Sequence, residues 1–225
     1  MLFLAVFCGF LAEYQLEHKI EKEREKEYVQ SLVEDLRNDT SLIRAHIVGQ
    51  KVTIKMMDSL IFFLNNAELI KSHSDEVYYI ARVGPRSATF ISNNKTFEQL
   101  KNAGGFRLIR NNEAANKIME YYNLIPFLHQ LEEIFNSEFT EYKKIAAKIF
   151  DPSVFRSMED DSDGSIKRTH NDPLLLNTTP ELLKELGIYS VYLNGTRRGI
   201  LQLLPELELK GADLIHYLKK EYHLK

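Results

Sequence analysis

The chain has 225 residues, 44% of them hydrophobic, which is enough to bury a core and excludes an intrinsically disordered protein. Its 29 basic and 32 acidic residues give a net charge of -3 at pH 7, and this near balance excludes a general attraction to nucleic acid or to an anionic membrane. Glycine and proline are scarce, at 10 and 6 residues, which favours helices over a sheet rich in turns, so we predict an all-α fold.

Residues 2–12 form an uninterrupted apolar segment, LFLAVFCGFLA, and the charged residue Glu13 follows it directly. A bilayer span takes about 20 apolar residues, so this segment is too short to cross a membrane by itself. It also lacks the basic start and the small-residue cleavage site of a signal peptide. One interpretation is a buried core helix. We favour a partial transmembrane anchor over residues 1–12, the second half of a helix whose first half is missing from this chain, with Tyr14 at the membrane interface.

A charged stem helix is predicted over residues 13–49, because apolar residues recur near helical spacing and the first glycine or proline after the anchor is Gly49. Opposite charges such as Glu21 and Arg24 lie three positions apart, on one face of such a helix. This pattern is typical of a solvated surface, but it also fits a stalk or a coiled coil. The stem helix is therefore compatible with a homo-oligomer or with a complex with another protein.

Residues 50–225 are predicted to form an antiparallel helical bundle with kinked helices. The segment 54–64, IKMMDSLIFFL, has apolar residues at positions i, i+3, i+4 and i+7 and predicts a central core helix. Thr96 begins a capping-box pattern, which predicts the start of a helix. A longer helical pattern covers residues 112–150 and contains Pro126, which we expect to kink the helix without ending it.

An irregular surface loop is predicted over residues 151–178, which are rich in Asp, Ser, Asn and Pro. The Thr-Pro-Glu sequence at residues 179–181 is typical of a helix start, because it combines a hydroxyl cap, a proline in the first turn and an acid near the helix dipole. We expect Gly187 and Pro205 to divide the helices that follow.

Motifs for metal binding and catalysis are weak. Residues 159–164 fit the opening of an EF-hand loop, but His170 stands where the loop needs a bidentate glutamate, so an acidic solvated loop is the better interpretation. The only cysteine, Cys8, lies in the apolar segment, and the seven histidines include no pair at metal-binding helical spacing. The sequence contains no nucleophile elbow, Walker loop or dinucleotide fingerprint. We therefore expect neither an enzyme nor a cofactor.

A ligand site is predicted from arginines that can bind an anion and tyrosines that can line a pocket beside them. Isolated arginines on helices more often pair with surface acids, which is the alternative interpretation. The candidate ligand-binding residues are Arg107, Arg110, Tyr121, Tyr122, Tyr192, Arg197 and Arg198.

Two segments carry a resemblance to a known family. Residues 9–39, GFLAEYQLEHKIEKEREKEYVQSLVEDLRND, and residues 96–123, TFEQLKNAGGFRLIRNNEAANKIMEYYN, resemble the two hallmark regions of a bacterial family of membrane-anchored proteins with a domain of unknown function. The resemblance implies an N-terminal transmembrane helix, a charged helical stem and a closing helical bundle. It also implies a single-pass protein of the bacterial inner membrane, with the helical domain in the periplasm, and it implies no activity.

The function expected from these features is a membrane-anchored interaction or scaffold module of the cell envelope. The alternative is a sensor-like domain that binds a small ligand between its helices, and an enzyme with an unrecognised site is a third and weaker interpretation. The expected partners are the membrane, through the N-terminal helix, and a second copy or another protein. Nucleic acid is not expected.

Overall fold

The computed structural model of the chain describes residues 2–102 and 104–225. These residues are 78% helical and contain one isolated antiparallel bridge, Glu159 to Ile166, but no strand, which confirms the all-α prediction. The helices are α1 (Leu2–Leu64), α2 (Ala67–Ser72), α3 (Ser74–Val83), α4 (Lys95–Asn102), α5 (Asn112–Tyr122), α6 (Ile125–Ile149), α7 (Pro152–Ser157) and α8 (Pro180–Glu221), with a short 3-10 helix at Gly105–Arg107.

Helix α1 contains 63 residues and does not end at Gly49, so the predicted end of the stem helix is wrong. A glycine in a helix interior costs only about 1 kcal/mol relative to alanine, which the packing of the flanking turns can offset. The predicted stem helix and the predicted core helix at 54–64 are therefore one element. Helix α8 likewise runs through Gly187 and Pro205, although both were expected to interrupt it.

Pro126 separates two helices instead of kinking one. Helix α5 ends at Tyr122 and α6 begins at Ile125, so Pro126 lies in the first turn of α6. Proline is tolerated there because the first N–H groups of a helix have no partner in the helix. The prediction of one kinked helix over 112–150 is therefore wrong.

The start of α4 is close to its predicted position, but its chemistry differs. The helix begins at Lys95, and the backbone N–H of Thr96 donates to the carboxylate of Asp35, at 3.2 Å. Thr96 therefore lies inside the helix and does not cap it. Pro180 begins α8, as predicted. The predicted loop at 151–178 contains α7 and the isolated bridge, and the rest of it is irregular.

None of the described helices has a stretch long and apolar enough to cross a membrane. Residues 2–12 belong to α1, and the charged residues that follow Ala12 lie in the same helix. The predicted transmembrane helix is therefore not supported by the structure.

The described residues group into two compact units, each built from several segments. Unit 1 consists of Met1–Arg44, Ile91–Pro126 and Glu206–Lys225, and unit 2 consists of Ala45–Phe90 and Phe127–Pro205. In unit 1, α1 contributes a buried stripe at helical spacing, and Tyr121 of α5 donates a hydrogen bond to Asp39 on the same part of α1. The members of this stripe are Val29, Leu32, Val33, Leu36 and Ile43.

The core of unit 2 is more aromatic. It includes Met57 and Leu60 of α1 and Tyr78 of α3, together with Phe135 and Tyr142 of α6. The aromatic residue Phe150 joins it just after α6, and its ring lies edge-on to that of Tyr78, with 5.1 Å between the centroids. Such edge contacts suit the ring quadrupoles and add to the energy of apolar burial. Segment 54–64 is thus a core helix segment of unit 2, as predicted.

Candidate functional site

The seven candidate ligand-binding residues do not form one site. Four of them, Arg107, Arg110, Tyr121 and Tyr122, belong to unit 1, whereas Tyr192, Arg197 and Arg198 belong to unit 2. Within each unit the residues also have different surroundings, so each group is described by its own contacts.

Tyr121 and Tyr122 belong to a buried polar cluster around Asp39. The Asp39 carboxylate is fully buried and accepts three hydrogen bonds, from the backbone N–H of Asn93 at 2.6 Å, from its side-chain amide at 2.9 Å and from the Tyr121 hydroxyl at 3.1 Å. The Tyr122 hydroxyl donates to the Asn93 carbonyl at 3.3 Å, and its ring stacks on Phe97.

Burial raises the pKa of Asp39, although its hydrogen bonds with Asn93 and Tyr121 oppose that shift. Burial also raises the pKa of both tyrosines. The cluster joins α1, α5 and the segment before α4. Because the three donors occupy both oxygens of the Asp39 carboxylate, it leaves little capacity to bind a ligand. Its role is structural.

Arg110 and Arg107 lie near the 3-10 helix and are both exposed. The guanidinium of Arg110 forms an ion pair with Glu21 and contacts His18, while its backbone N–H donates to the buried carboxylate of Glu25 at 2.9 Å. Glu25 also accepts from the Tyr222 hydroxyl at 2.6 Å. Arg110 is therefore used for packing within unit 1.

Arg198 and Tyr192 of α8 have surface roles. Both Oδ atoms of Asp58 accept from the guanidinium of Arg198, at 2.8 and 2.6 Å, and Asp58 also accepts from the Asn194 amide at 2.7 Å. Tyr192 is 56% exposed. Arg198 thus has the surface-acid pairing that the alternative interpretation expected.

Arg197 is the exception, because it is fully buried and has no ion pair with a described carboxylate. One terminal nitrogen donates to the Arg86 carbonyl at 3.1 Å, and the guanidinium carbon lies 4.9 Å from the ring centroid of Phe135. Its Nε and Nη1 have no hydrogen-bond partner within the described chain. Burial without an opposite charge lowers the pKa of Arg197 to about 10.

Unit 2 also contains a cavity of about 550 Å³, in the size range of small-molecule sites. It lies between the end of α3, the second half of α6, and α7. Four aromatic side chains line it, and Phe150 and Phe155 stack on each other with centroids 5.3 Å apart. The other two are Phe139 and Tyr142.

Three cationic side chains, Arg82, Arg86 and Lys143, also line this cavity. Arg82 forms an ion pair with Glu159 and lies over the Phe155 ring, with its guanidinium carbon 5.4 Å from the centroid. The ammonium of Lys143 lies 4.7 Å from the centroid of the Phe139 ring. Partial burial and, secondly, the charge of Arg82 lower the pKa of Arg86, while Glu159 acts in the opposite direction. Three cations and the one carboxylate that pairs with Arg82 leave a local excess of positive charge at the cavity.

The acidic segment 159–164 is held by ion pairs and turns. Asp160 pairs with Lys167 and Asp161 with Arg156, while Glu159 contacts Arg82 and Arg156. In the part of the chain that the structure describes, no group of three or more His, Cys, Asp or Glu side chains is placed to hold a metal ion.

The N-terminal part of α1 has a different kind of surface, because residues 6–24 are all exposed. Its first turns present large apolar side chains, among them Phe3, Phe7 and Phe10, with exposures of 83%, 51% and 67%. Exposed apolar side chains in this number usually mark an interaction with a membrane or a protein. From Glu25 onward, α1 alternates exposed and buried residues and contributes to unit 1.

No protein-family model, curated protein or solved structure matches the chain. The resemblance of residues 9–39 and 96–123 to a membrane-anchored bacterial family therefore remains a prediction.

Sequence reasoning missed the three cations of the cavity. Arg86 lies beyond the end of α3 at Val83, so helical spacing does not relate it to Arg82. Phe139 and Lys143 of α6 are four positions apart, a spacing that favours one helical face, and this spacing was the available signal. It does not reveal that the end of α3 and α6 enclose a common cavity, because more than 50 residues separate the two segments.

Proposed function

We propose that the protein is a membrane-anchored helical module of the bacterial cell envelope that acts by protein interaction. The observation that carries this proposal is the row of exposed apolar side chains at the start of α1, including Phe3, Phe7 and Phe10. Lipid or a partner helix would remove this surface from water, at about 25 cal/mol for each Å² covered.

Length and charge support attachment in the outer part of a bilayer. A helix rises about 1.5 Å per residue, so residues 2–12 cover about 16 Å, roughly half of a hydrocarbon core of about 30 Å. Tyr14 follows at the position where an aromatic ring suits the interface. Residues 15–24, which are all exposed and mostly charged, then form a solvated spacer before the buried residue Glu25. A periplasmic location of the two units is part of the same proposal and rests on the family resemblance.

Flotation of the full chain with phosphatidylcholine vesicles tests the attachment. We expect the unmodified protein to float with the vesicles and a Phe7→Asp/Phe10→Asp variant to stay in the dense fraction. Each aspartate costs about 2.5 to 3.5 kcal/mol when placed at the centre of a membrane helix, so two of them oppose insertion strongly.

The matched control is Phe62→Asp/Phe127→Asp, because these two phenylalanines are similarly exposed, at 64% and 57%, but belong to unit 2. This variant should float like the unmodified protein. Equal flotation of all three proteins would show that residues 2–12 do not mediate attachment.

Cross-linking in membranes of a bacterium that expresses the full chain tests the interaction. A defined oligomer or a discrete adduct with one partner is expected. Recovery of monomer alone with cross-linkers of every length would contradict the proposed interaction, whatever the flotation result.

A second function, the binding of a small ligand, is favoured by one specific observation, the aromatic cavity of unit 2 with its three cations. Ligand pockets are mostly apolar and carry a few polar groups that orient the ligand, and this cavity has both features. The residues that would bind the ligand are Arg82, Arg86 and Lys143, in place of the arginines and tyrosines predicted from the sequence. Among those seven, none lines the cavity.

A thermal-shift screen of the full chain tests this second function. A ligand present at 100 times its dissociation constant adds about 2.7 kcal/mol to the free energy of unfolding, which raises the midpoint by several degrees. A variant with the cavity filled, Ala147→Leu, should lose the shift, since Ala147 lines the cavity and is itself exposed.

A further inference from the structure

We propose that the cavity of unit 2 binds a small amphiphile with an anionic head group, which contacts Arg86 and Lys143 while the apolar body lies among the aromatic rings. This inference rests on the second proposed function and adds the chemical class of the ligand.

The charge distribution supports an anionic head group. Arg82 has an acid partner, Glu159, so much of its charge is already compensated. Arg86 and Lys143 form no ion pair with a carboxylate of the described residues. A carboxylate or a phosphate monoester can accept hydrogen bonds from both, and a guanidinium in particular matches either group with two parallel bonds.

The walls support an apolar body and disfavour a sugar or another neutral polar ligand. Phe139, Phe150 and Phe155 have no polar atoms in their side chains. The hydroxyl of the fourth aromatic residue, Tyr142, donates to the Ala81 carbonyl at 3.1 Å, so this donor is already used. A ligand with many hydroxyl groups would leave most of them without partners, at a cost of about 1 to 3 kcal/mol for each buried group.

The same lining disfavours a cationic amphiphile. An ammonium head group can be attracted by aromatic faces, but the Phe155 and Phe139 rings already lie beside Arg82 and Lys143, at 5.4 and 4.7 Å. A ligand cation would meet these charges directly. The cavity should therefore select among ligands by the sign of the charge on their head groups.

The test compares three probes of equal chain length, decanoate, 1-decanol and decyltrimethylammonium, with the two ionic probes below their micelle concentrations and the alcohol below its solubility limit. Binding is measured by isothermal titration calorimetry with the full chain. Because residues 2–12 can also take up amphiphiles, every protein in the series carries Phe7→Asp/Phe10→Asp. We expect decanoate to bind at least ten-fold more tightly than decanol, and the cation to bind more weakly still. Decyl phosphate distinguishes a phosphate head group from a carboxylate, and tight binding of either supports the inference.

Two variants locate the head group. Arg86→Gln/Lys143→Gln should weaken decanoate binding at least ten-fold and leave decanol binding within two-fold. The matched control, Lys144→Gln/Arg168→Gln, removes the same charge from exposed residues of unit 2 that pair with Glu141 and Glu76 and do not line the cavity. It should bind all probes as the parent does. Helical circular dichroism and the unfolding midpoint verify that both variants are folded.

The outcomes separate the inference from the function on which it rests. Equal affinity for all three decyl probes, abolished by Ala147→Leu, would overturn the anionic class and leave the cavity as a ligand site. Binding that is unchanged by both Ala147→Leu and Arg86→Gln/Lys143→Gln would place the amphiphile elsewhere and overturn the inference. Absence of binding by every probe would overturn the inference, whereas the second function is decided by the thermal-shift screen.

Discussion

Asp39 accepts three of the hydrogen bonds that join separate segments of unit 1. It was not among the residues that the sequence singled out, whereas its partner Tyr121 and the adjacent Tyr122 were, as ligand contacts. The reason is distance along the chain, since Asp39 lies 82 positions from Tyr121 and 54 from Asn93. Spacing arguments apply within one helix, and this cluster joins three separate segments.

Asp39→Ala should lower the free energy of unfolding by about 3 kcal/mol or more, because it leaves two amide donors and one hydroxyl buried without an acceptor. Tyr121→Phe is the matched control. It removes one donor and keeps the carboxylate, so its cost should be about 1 kcal/mol. Urea unfolding followed by circular dichroism measures both. Similar losses in the free energy of unfolding for the two variants would show that the Asp39 carboxylate contributes no more than its one hydrogen bond with Tyr121.

Arg197 is a second residue whose surroundings could not be predicted from the sequence. It was predicted as a ligand contact because arginines bind anions, but it is buried beside Phe135 and an Arg86 carbonyl. Its neighbour Arg198 is exposed and paired with Asp58. Adjacent residues of a helix point about 100° apart, so two identical side chains can have opposite surroundings. Only the packing of α8 decides which of them is buried.

At the scale of elements, the sequence predicted that the chain is helical, but it predicted the helix boundaries less well. Helical periodicity and the Thr-Pro-Glu start identified helices, including the start of α8 at Pro180. Gly49, Gly187 and Pro205 lie inside helices because tertiary packing outweighs their local cost, whereas Pro126 lies at a helix start. Glycine and proline alone do not distinguish these two situations.

Two glycines of α8 provide a test of this competition between propensity and packing. A Cβ added to Gly211 would lie 2.8 Å from Cγ2 of Thr40 and 3.1 Å from Cε2 of Tyr121, whereas one added to Gly195 would meet no described atom within 4 Å. Gly211→Ala should therefore lower the free energy of unfolding by about 1 to 3 kcal/mol through overpacking.

Gly195→Ala is the matched control and should raise the free energy of unfolding by up to about 1 kcal/mol, because alanine loses less backbone entropy in a helix. Chemical denaturation at neutral pH should therefore show changes of opposite sign in the free energy of unfolding for the two substitutions. A gain in stability from both substitutions would mean that α8 and α1 do not approach as closely at Gly211 as the structure has them.

At the scale of the whole molecule, buried tyrosines should govern stability in alkali. Burial raises the pKa of Tyr121, Tyr122, Tyr142 and Tyr222 above the ordinary value of 10.0. Above about pH 10 the unfolded chain loses protons that the folded chain keeps, so the stability that these groups contribute is present below pH 10 and falls as pH rises. Arg197, with its pKa lowered to about 10, and Arg86, whose pKa is also lowered, act in the opposite direction above that pH, but they are two groups against the four tyrosines.

The midpoint of urea unfolding should therefore decrease between about pH 9 and pH 11. Tyr142→Phe should show a smaller decrease, since it removes one of the buried phenols. Its hydroxyl donates to the Ala81 carbonyl, so the variant is compared with its own midpoint at pH 8. A midpoint that stays constant or rises between pH 9 and pH 11 would contradict the role of the buried tyrosines in alkaline stability.

The two units were not predictable from the order of the elements. A division into anchor, stem and bundle treats the chain as consecutive pieces, but each unit takes residues from distant parts of the sequence. The boundaries at Arg44 and Pro205 lie inside α1 and α8, so no break in the helices marks them. The cavity was hidden for the same reason, because its walls come from residues whose proximity depends on how unit 2 folds.

The interleaving of the units has a consequence for biosynthesis. Ribosomes deliver residues in order, and every segment of unit 2 has been made once Pro205 has emerged. Unit 1 must wait for Glu206–Lys225, which supply the buried Leu207, Leu214 and Leu218. Until then, the apolar stripe of α1 from Val29 to Ile43 lacks part of its cover, although it is translated well before those residues. Unit 1 is therefore the second of the two units to be completed, and its early segments are open to chaperones and proteases while unit 2 is being made.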